Sequence, residues 1–327
     1  MSAINISNLP APAVVEEIDY ENILADMVTD LQSRDPEFQE LLDSDPAMKV
    51  LQIAAYRESL VRQRVNEAAR SVMLAYAKGS DLDNLAAFFK VERLVLNEGD
   101  PDADPPVPPS YESDEDFLKR IQLALDGYSI AGPEGAYVYH ALSASADVKD
   151  AAAEAPKFSM ASIDQGIMDQ LPPNSIVLQV DDDAGLADPK PGDVAITVLS
   201  RTGDGTADQA LIDDVAAVYS EDVRPLTDNP RVRGANILTY NVDATLYFYS
   251  GPGSEEVMAE AQAAIEAYTK EQHSIGRDIT LSGIYAALHQ PGVQRVDLHS
   301  PTSNLVVDTR SAAFCTAINL THGGLDE

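Results

Sequence analysis

Five histidines, His140, His273, His289, His299 and His322, are the residues best suited to hold a metal or move a proton. No two of them stand at helical i, i+4 spacing, and none lies in an HExxH context. His289 and His299 could meet across a turn, but ordinary surface or core histidines are the expectation, and no metal site is expected. Asp181, Asp182 and Asp183 invite a calcium reading. Ala184-Gly185-Leu186 breaks the spacing of a calcium loop, so a solvated acidic turn is expected there. Gly251-Pro252-Gly253-Ser254 precedes a helical pattern, where a phosphate can bind. Glu255 and Glu256 would repel it, and no lysine stands in Walker position. Gly203-Asp204-Gly205 reads as a tight turn for the same reasons, with Asp208 close by. No cofactor is expected. Cys315 sits in the apolar run AAFCTAI and reads as a packed, inert thiol. Nothing marks out one carboxylate pair for glycoside hydrolysis among the 54 acids, and no G-x-S-x-G elbow is present.

Four arginines are more informative. Arg57, Arg62, Arg64 and Arg70 lie on one stretch, residues 56–94, in a chain with only 22 cations. At about 100° per residue, Val50, Ala54, Val61, Val65, Ala68, Val72 and Tyr76 fall within an arc of roughly 80°. Ser59, Gln63, Asn66, Glu67 and Arg70 lie across the axis. This predicts a long amphipathic helix that buries the apolar stripe. Arg57 and Arg64 flank it on one side, and Arg62 on the other. Gly79 should end the helix, and Ser80 should cap the next one, with Asp83 in capping-box position. Intrahelical pairing of Glu58 with Arg62 and docking of an acidic partner on the four arginines both fit.

The same stretch carries a family resemblance. RESLVRQRVNEAARSVMLAYAKGSDLDNLAAFFKVERL resembles the N-terminal signature of baseplate J-like proteins, wedge components of contractile phage tails and related injection systems. PGDVAITVLSRTGDGTAD, EDVRPLTD and HSIGRDITLSGIYAALHQPGVQRVDLHSP resemble that family's later segments, in the same order, over about residues 51–301.

Composition suits a soluble protein or one that docks basic partners. The chain has 327 residues, 45% of them hydrophobic, enough for one large domain or two to three smaller ones. Its net charge of -32 disfavours nucleic acid and anionic membranes as partners. A single cysteine excludes an internal disulfide and points to a reducing compartment. No signal-peptide pattern and no run of 18 apolar residues is present.

In order, residues 1–18 read as an extended arm, either frayed or strapped to a neighbour. Residues 19–146 read as a helical wedge-core region with an acidic, proline-rich loop at 97–111. Ser113 should cap a helix through Asp116. Residues 147–235 and 236–308 read as two small α+β modules with helix-covered sheets, the second a looser copy of the first. In the first, 176–180 and 194–199 should be strands, and Thr206 with Gln209 should cap a helix. In the second, 242–249 should be a half-buried strand, with Val242, Ala244, Leu246 and Phe248 inward. A helix over 254–271 should follow, then one capped from Thr280 or Ser282. The tail, 309–327, should hold a last strand for this sheet or for a neighbour's. The fold class is thus α+β, with a helical N-terminal region ahead of two modules.

The resemblance implies a structural wedge component that links a central hub to the periphery and is needed for baseplate assembly. It implies no enzyme. Partners would be a second copy, other wedge proteins, neighbouring wedges in a ring and a tail-fibre-linking protein. The place would be the virion tail baseplate, assembled in the host bacterial cytoplasm. The competing expectations are a tail-associated cell-wall glycan hydrolase and a soluble assembly adaptor.

Overall fold

The structure, a computed structural model, describes residues 16–128, 132–220, 223–250 and 253–326. Most of the expected N-terminal arm, residues 1–15, lies outside them, as do Gly251 and Pro252 ahead of the expected 254–271 helix. The chain divides into two compact units, Met1–Arg93 and Leu94–Glu327.

The first unit is helical. Asp19 starts α1, Tyr20–Arg34, by accepting the backbone N–H groups of Glu21 and Asn22. Pro46 occupies the first position of α2, Pro46–Ser71, where its missing N–H has no consequence. The helix ends at Ser71, eight residues before Gly79, and tight turns carry the chain on through Ala77. Gly79 has φ +51°, and its carbonyl accepts the Asp83 N–H. The expected Ser80 cap is therefore corrected: Ser80 is the first residue of α3, Ser80–Ala86, and Gly79 is the cap. The left-handed conformation at this junction suits glycine rather than serine.

The second unit opens with strands β1, Val95–Asn97, and β2, Ser110–Tyr111, which pair antiparallel. Asp100 and Val107 bridge within the intervening loop, so the proline-rich segment is closed at its base. Ser113 caps α4, Asp114–Gly127, by accepting the Asp116 N–H, as expected. The buried Arg120 of α4 pairs with buried Glu112 at 3.1 Å through Nε, and Glu112 Oε1 also accepts the Leu94 N–H. This pair fastens the hairpin to the helix. Helix α5, Glu134–Ala144, leads into the first large sheet.

That sheet has the order β3-β6-β7, from Val148–Glu154, Asp193–Ser200 and Asn229–Gly234. Between β3 and β6 lies an inserted ribbon with β4, Lys157–Met160, a short α6, Gln165–Met168, and β5, Leu178–Asp182. Helix α7, Gln209–Val218, returns the chain so that β7 lies parallel to β6. Asp208 caps α7 by accepting the Leu211 N–H, which corrects the expected Thr206–Gln209 box. The core joins Tyr137, Ala141 and Leu142 of α5 to Ala151, Ile196, Val198, Leu211 and Val215.

The second large sheet has the order β10-β8-β9, from Ser311–Leu325, Asn236–Phe248 and Val293–Ser300. Val242, Ala244, Leu246 and Phe248 of β8 are all buried, as their alternation predicts. Helices α8, Ser254–Gln272, and α9, Leu281–Leu288, cover them with Ala261, Ile265, Ile284 and Leu288. Thr280 caps α9 through the Gly283 N–H. One helix returns β7 parallel to β6, whereas two helices return β9 antiparallel to β8. The second module is therefore not a looser copy of the first. The last strand, β10, pairs parallel with β8 of its own chain along most of its length. The fold class is α+β with small mixed sheets.

Candidate assembly interface

The sequence places the arginines on α2, and the burial of that helix is the reverse of the expectation. Its buried residues are Met48, Ala55 and Asn66. The predicted inward stripe faces solvent: Val61 is 62% exposed and Val72 68%, with Val50 and Val65 also exposed. Ile53, Tyr56 and Leu60, which the sequence reading did not place on this face, are exposed as well. On an ideal helix these side chains and the stripe together span about half the circumference.

Asn66, expected on the polar outer side, explains the inversion. Its Nδ2 donates to the Glu16 carbonyl at 2.8 Å, and its Oδ1 accepts the Glu16 N–H at 3.0 Å. A primary amide matches one peptide group on both its donor and its acceptor, so it pins the chain entering α1 against α2. Ile23 of α1 is buried in the same unit, and Tyr20 Oη donates to the Gln52 carbonyl at 3.4 Å. A polar anchor thus decides which side of α2 meets α1.

The four arginines do not share one face. Arg57 and Arg64 project within the exposed apolar arc, by the same 100° count. Arg62 lies beside α1, where Nε and Nη2 donate to Glu58 Oε1 at 2.9 and 2.6 Å, and Nη1 reaches Glu16 at 3.5 Å. Its hydrogen bonds to Glu58 hold its guanidinium above the usual arginine range. Arg64 makes a long, exposed contact to Glu67 at 3.4 Å, the kind that adds little to stability. Arg57 and Arg70 form no ion pair among the described residues. The helix carries five cations against two acids, a net +3 inside a chain of -32.

The residues considered for chemistry are mostly tied into structure. His299 Nε2 lies 3.0 Å from Thr245 Oγ1 on the second sheet, and His322 stacks on Phe248 with centroids 4.6 Å apart. His273 is buried and lies 2.7 Å through Nδ1 from the Ala313 carbonyl, and burial lowers its pKa. Cys315 Sγ donates to the Ala317 carbonyl, and burial raises the thiol. The acidic triplet is not simply solvated, contrary to the expectation. Asp182 Oδ1 accepts from Arg310 Nη2 at 3.0 Å, and Asp183 Oδ1 lies 3.5 Å from Arg310 Nη1. Arg310 also reaches Glu154 at 2.6 Å, and Glu154 accepts from Arg233 at 3.0 Å. This network joins the ribbon, β3, β7 and the turn before β10. Asp150 of β3 accepts the Ile275 N–H at 3.0 Å across the same junction. Among the described residues, no group of three His, Cys, Asp or Glu could hold a metal ion. No helix among them is long and apolar enough to cross a membrane.

Known proteins locate these elements. The Baseplate J-like N-terminal domain matches residues 43–100, and the Baseplate J-like protein C-terminal domain matches 240–321. Baseplate protein J of Escherichia phage P2 is 42% identical over 335 residues, covering all of both chains. The chain belongs to the baseplate J-like family. A cryo-EM structure of the anti-feeding prophage baseplate aligns at 14% identity with a TM-score of 0.34. The alignment covers 65% of this chain and 43% of that one. The coarse function of this baseplate J-like protein is a structural one in a phage-type baseplate. The N-terminal family match contains the whole of α2, so the exposed face lies inside the family's own domain.

Proposed function

We propose that this baseplate J-like protein is a wedge subunit of a contractile tail or phage-like injection particle. It links the central hub to the periphery and is needed for the baseplate to assemble, in the host bacterial cytoplasm. It does so by contacts, without catalysis. The partners are a second copy, other wedge proteins, neighbouring wedges and a tail-fibre-linking protein.

One observation carries this reading. The α2 helix leaves six large apolar side chains exposed along a single arc that Val72 at its C-terminal cap continues, with Arg57 and Arg64 among them. An exposed stripe of this kind marks a protein contact, because a soluble monomer gains nothing from it. Arginines set among apolar side chains suit an acidic partner, since the guanidinium desolvates more readily than an ammonium and pairs bidentately. The -32 charge supports the same reading, since it keeps free subunits apart until complementary surfaces meet. Arg57 and Arg64 are the contact residues, Arg70 lies across the axis from them, and Arg62 braces the chain entering α1.

The test uses a particle-producing strain that lacks this chain and is complemented with variants. Val61→Asp with Val65→Asp, and separately Arg57→Glu with Arg64→Glu, should leave the melting temperature of the purified chain unchanged. Both should abolish assembled tails. Normal tails carrying the Val61→Asp/Val65→Asp chain would overturn the reading.

A further inference from the structure

The second large sheet ends on an open edge. Its last strand, β10, bonds to β8 on one side. On the other side only its first residues are met. The Gly276 N–H donates to the Ser311 carbonyl, Ile275 bridges Ala312, and the His273 ring lies against the Ala313 carbonyl. From Thr316 to His322 no strand pairs with this edge among the described residues. Thr316, Ala317, Asn319, Thr321 and His322 are exposed. An open edge displays a row of backbone N–H and C=O groups, which is a template for another strand. Proteins blunt such edges with charge or proline, and this chain does so elsewhere. β3 carries Lys149, Asp150 and Glu154, β7 carries Pro230, Arg231 and Arg233, and β9 carries Arg295 and Asp297. β10 is the longest of these four outer strands, with 15 residues, and holds no Asp, Glu, Lys, Arg or Pro.

The edge also describes its occupant. It offers backbone groups, so the occupant is an extended backbone. It offers no charge, so the occupant has none to pair. Ile318 and Leu320 lie beside Val242 and Ala244 on the helix-covered side, yet are only partly buried against that core. An occupant with apolar side chains at alternate positions completes this layer. Asn319 and Thr321 lie on the opposite side, beside Asp243 and Thr245, so polar side chains suit its remaining positions. Bulges at Cys315/Ala317 and His322/Leu325 bound the stretch, and the register runs unbroken from Ala317 to His322. The β10 strand of a second copy would bring -32 of charge against -32 with no opposite charge at the contact, so a different chain fits better.

We propose that β10 accepts a strand from a different protein of the baseplate. The strand is an uncharged extended segment of about six residues, apolar at alternate positions, added along Ala317–His322. Main-chain hydrogen bonds supply the affinity, and the alternating side chains fix the register. This interface belongs to the second unit and stands apart from the α2 face.

The test is hydrogen–deuterium exchange, read on the purified full-length chain and on intact particles that contain it. Amides of residues 316–322 that point away from β8 should exchange freely in the purified chain and slow about tenfold or more in particles. Amides of the β9 edge should not change. Photo-reactive p-benzoylphenylalanine in place of Asn319 should give one adduct in particles, with a protein other than this chain and through an uncharged segment. Asn319→Lys with Thr321→Lys places charge along the edge. It should leave the melting temperature of the purified chain unchanged, since both side chains are exposed, and lower the yield of tails about tenfold or more. Unslowed exchange at 316–322 in particles would overturn the proposal, as would equal slowing at β9, which marks general burial. So would an adduct with a second copy or with residues 1–15 of the same chain, no adduct at all, or a full yield of tails from the lysine variant. The wedge reading survives each of these outcomes. Its own failure has a separate signature, normal tails from the Val61→Asp/Val65→Asp chain.

Discussion

Single residues in this protein decide geometry through polar matching more than through chemistry. Glu112 and Arg120 are an example, both almost fully buried and bonded to each other. Removing one partner takes away the matching charge at the shortest contact and leaves the other buried. Glu112→Ala should therefore cost about 3–5 kcal/mol of unfolding free energy, read from a denaturant titration of the purified chain. Lys149 of β3 behaves in the opposite way. Burial, reinforced by nearby Arg201, pushes its ammonium pKa down to about 8. The folded state thus binds this proton more weakly than the unfolded chain does. That lowers stability in full below pH 8, and the penalty fades as pH rises towards the ordinary lysine value near 10.5. Lys149→Met should raise stability at pH 7 by about 1–3 kcal/mol. It should also flatten the rise in melting temperature between pH 8 and 10. Asp193 contributes at the other end of the scale. Burial alone would raise its carboxyl, but hydrogen bonds from Asn229, the Lys190 N–H and Arg231 hold it below the usual value. Its stabilisation is present above about pH 4 and is lost on further acidification.

At the scale of elements, burial separates helices that serve the fold from helices that serve a partner. Ile265 of α8 is fully buried against β8, so Ile265→Ala should destabilise by about 2–5 kcal/mol. Val61 of α2 has the same aliphatic character but faces solvent. Val61→Ala should change the stability of the isolated chain by less than about 0.5 kcal/mol. Thermal melts of the two variants side by side test the distinction. Equal losses would mean that α2 is packed within the free chain. The strands were legible for a simple reason. In β8, Val242, Ala244, Leu246 and Phe248 repeat every second residue, and only one side of that strand can meet α8 and α9. Helix starts were legible where a side chain reaches one specific N–H, as Ser113 and Thr280 do. They were misread at Ser80 and Thr206, where Gly79 and Asp208 compete for the same role one or two residues away.

At the scale of the whole molecule, the chain holds two compact units, and the interactions of Leu94 with Glu112 fall within the second. Residues 94–327 contain both large sheets and their covering helices, so they should fold when expressed alone and unfold in one cooperative transition. A broad, non-cooperative melt of that fragment would count against it. Within this unit the two sheets meet through a small apolar cluster of Leu199, Ala235 and Ala312 and through the Arg310 network. Charged contacts at a junction tolerate small rearrangements better than interdigitated apolar packing does, because they act over distance and can exchange partners with water.

The amino-acid sequence by itself determined the fold class, most elements and the family. Those follow from periodicity, caps and ordered motifs, which are local properties of the chain. Tertiary structure alone decided which side of α2 is inward, because an apolar stripe records that something covers it without recording what. Here the Asn66 amide, bonded to a backbone group 50 residues away, turned the stripe outward. It likewise decided that the acidic triplet meets Arg310, 127 and 128 residues along the chain, and that the two modules differ in topology. Contacts over such separations depend on where the elements pack, and no local pattern carries that information.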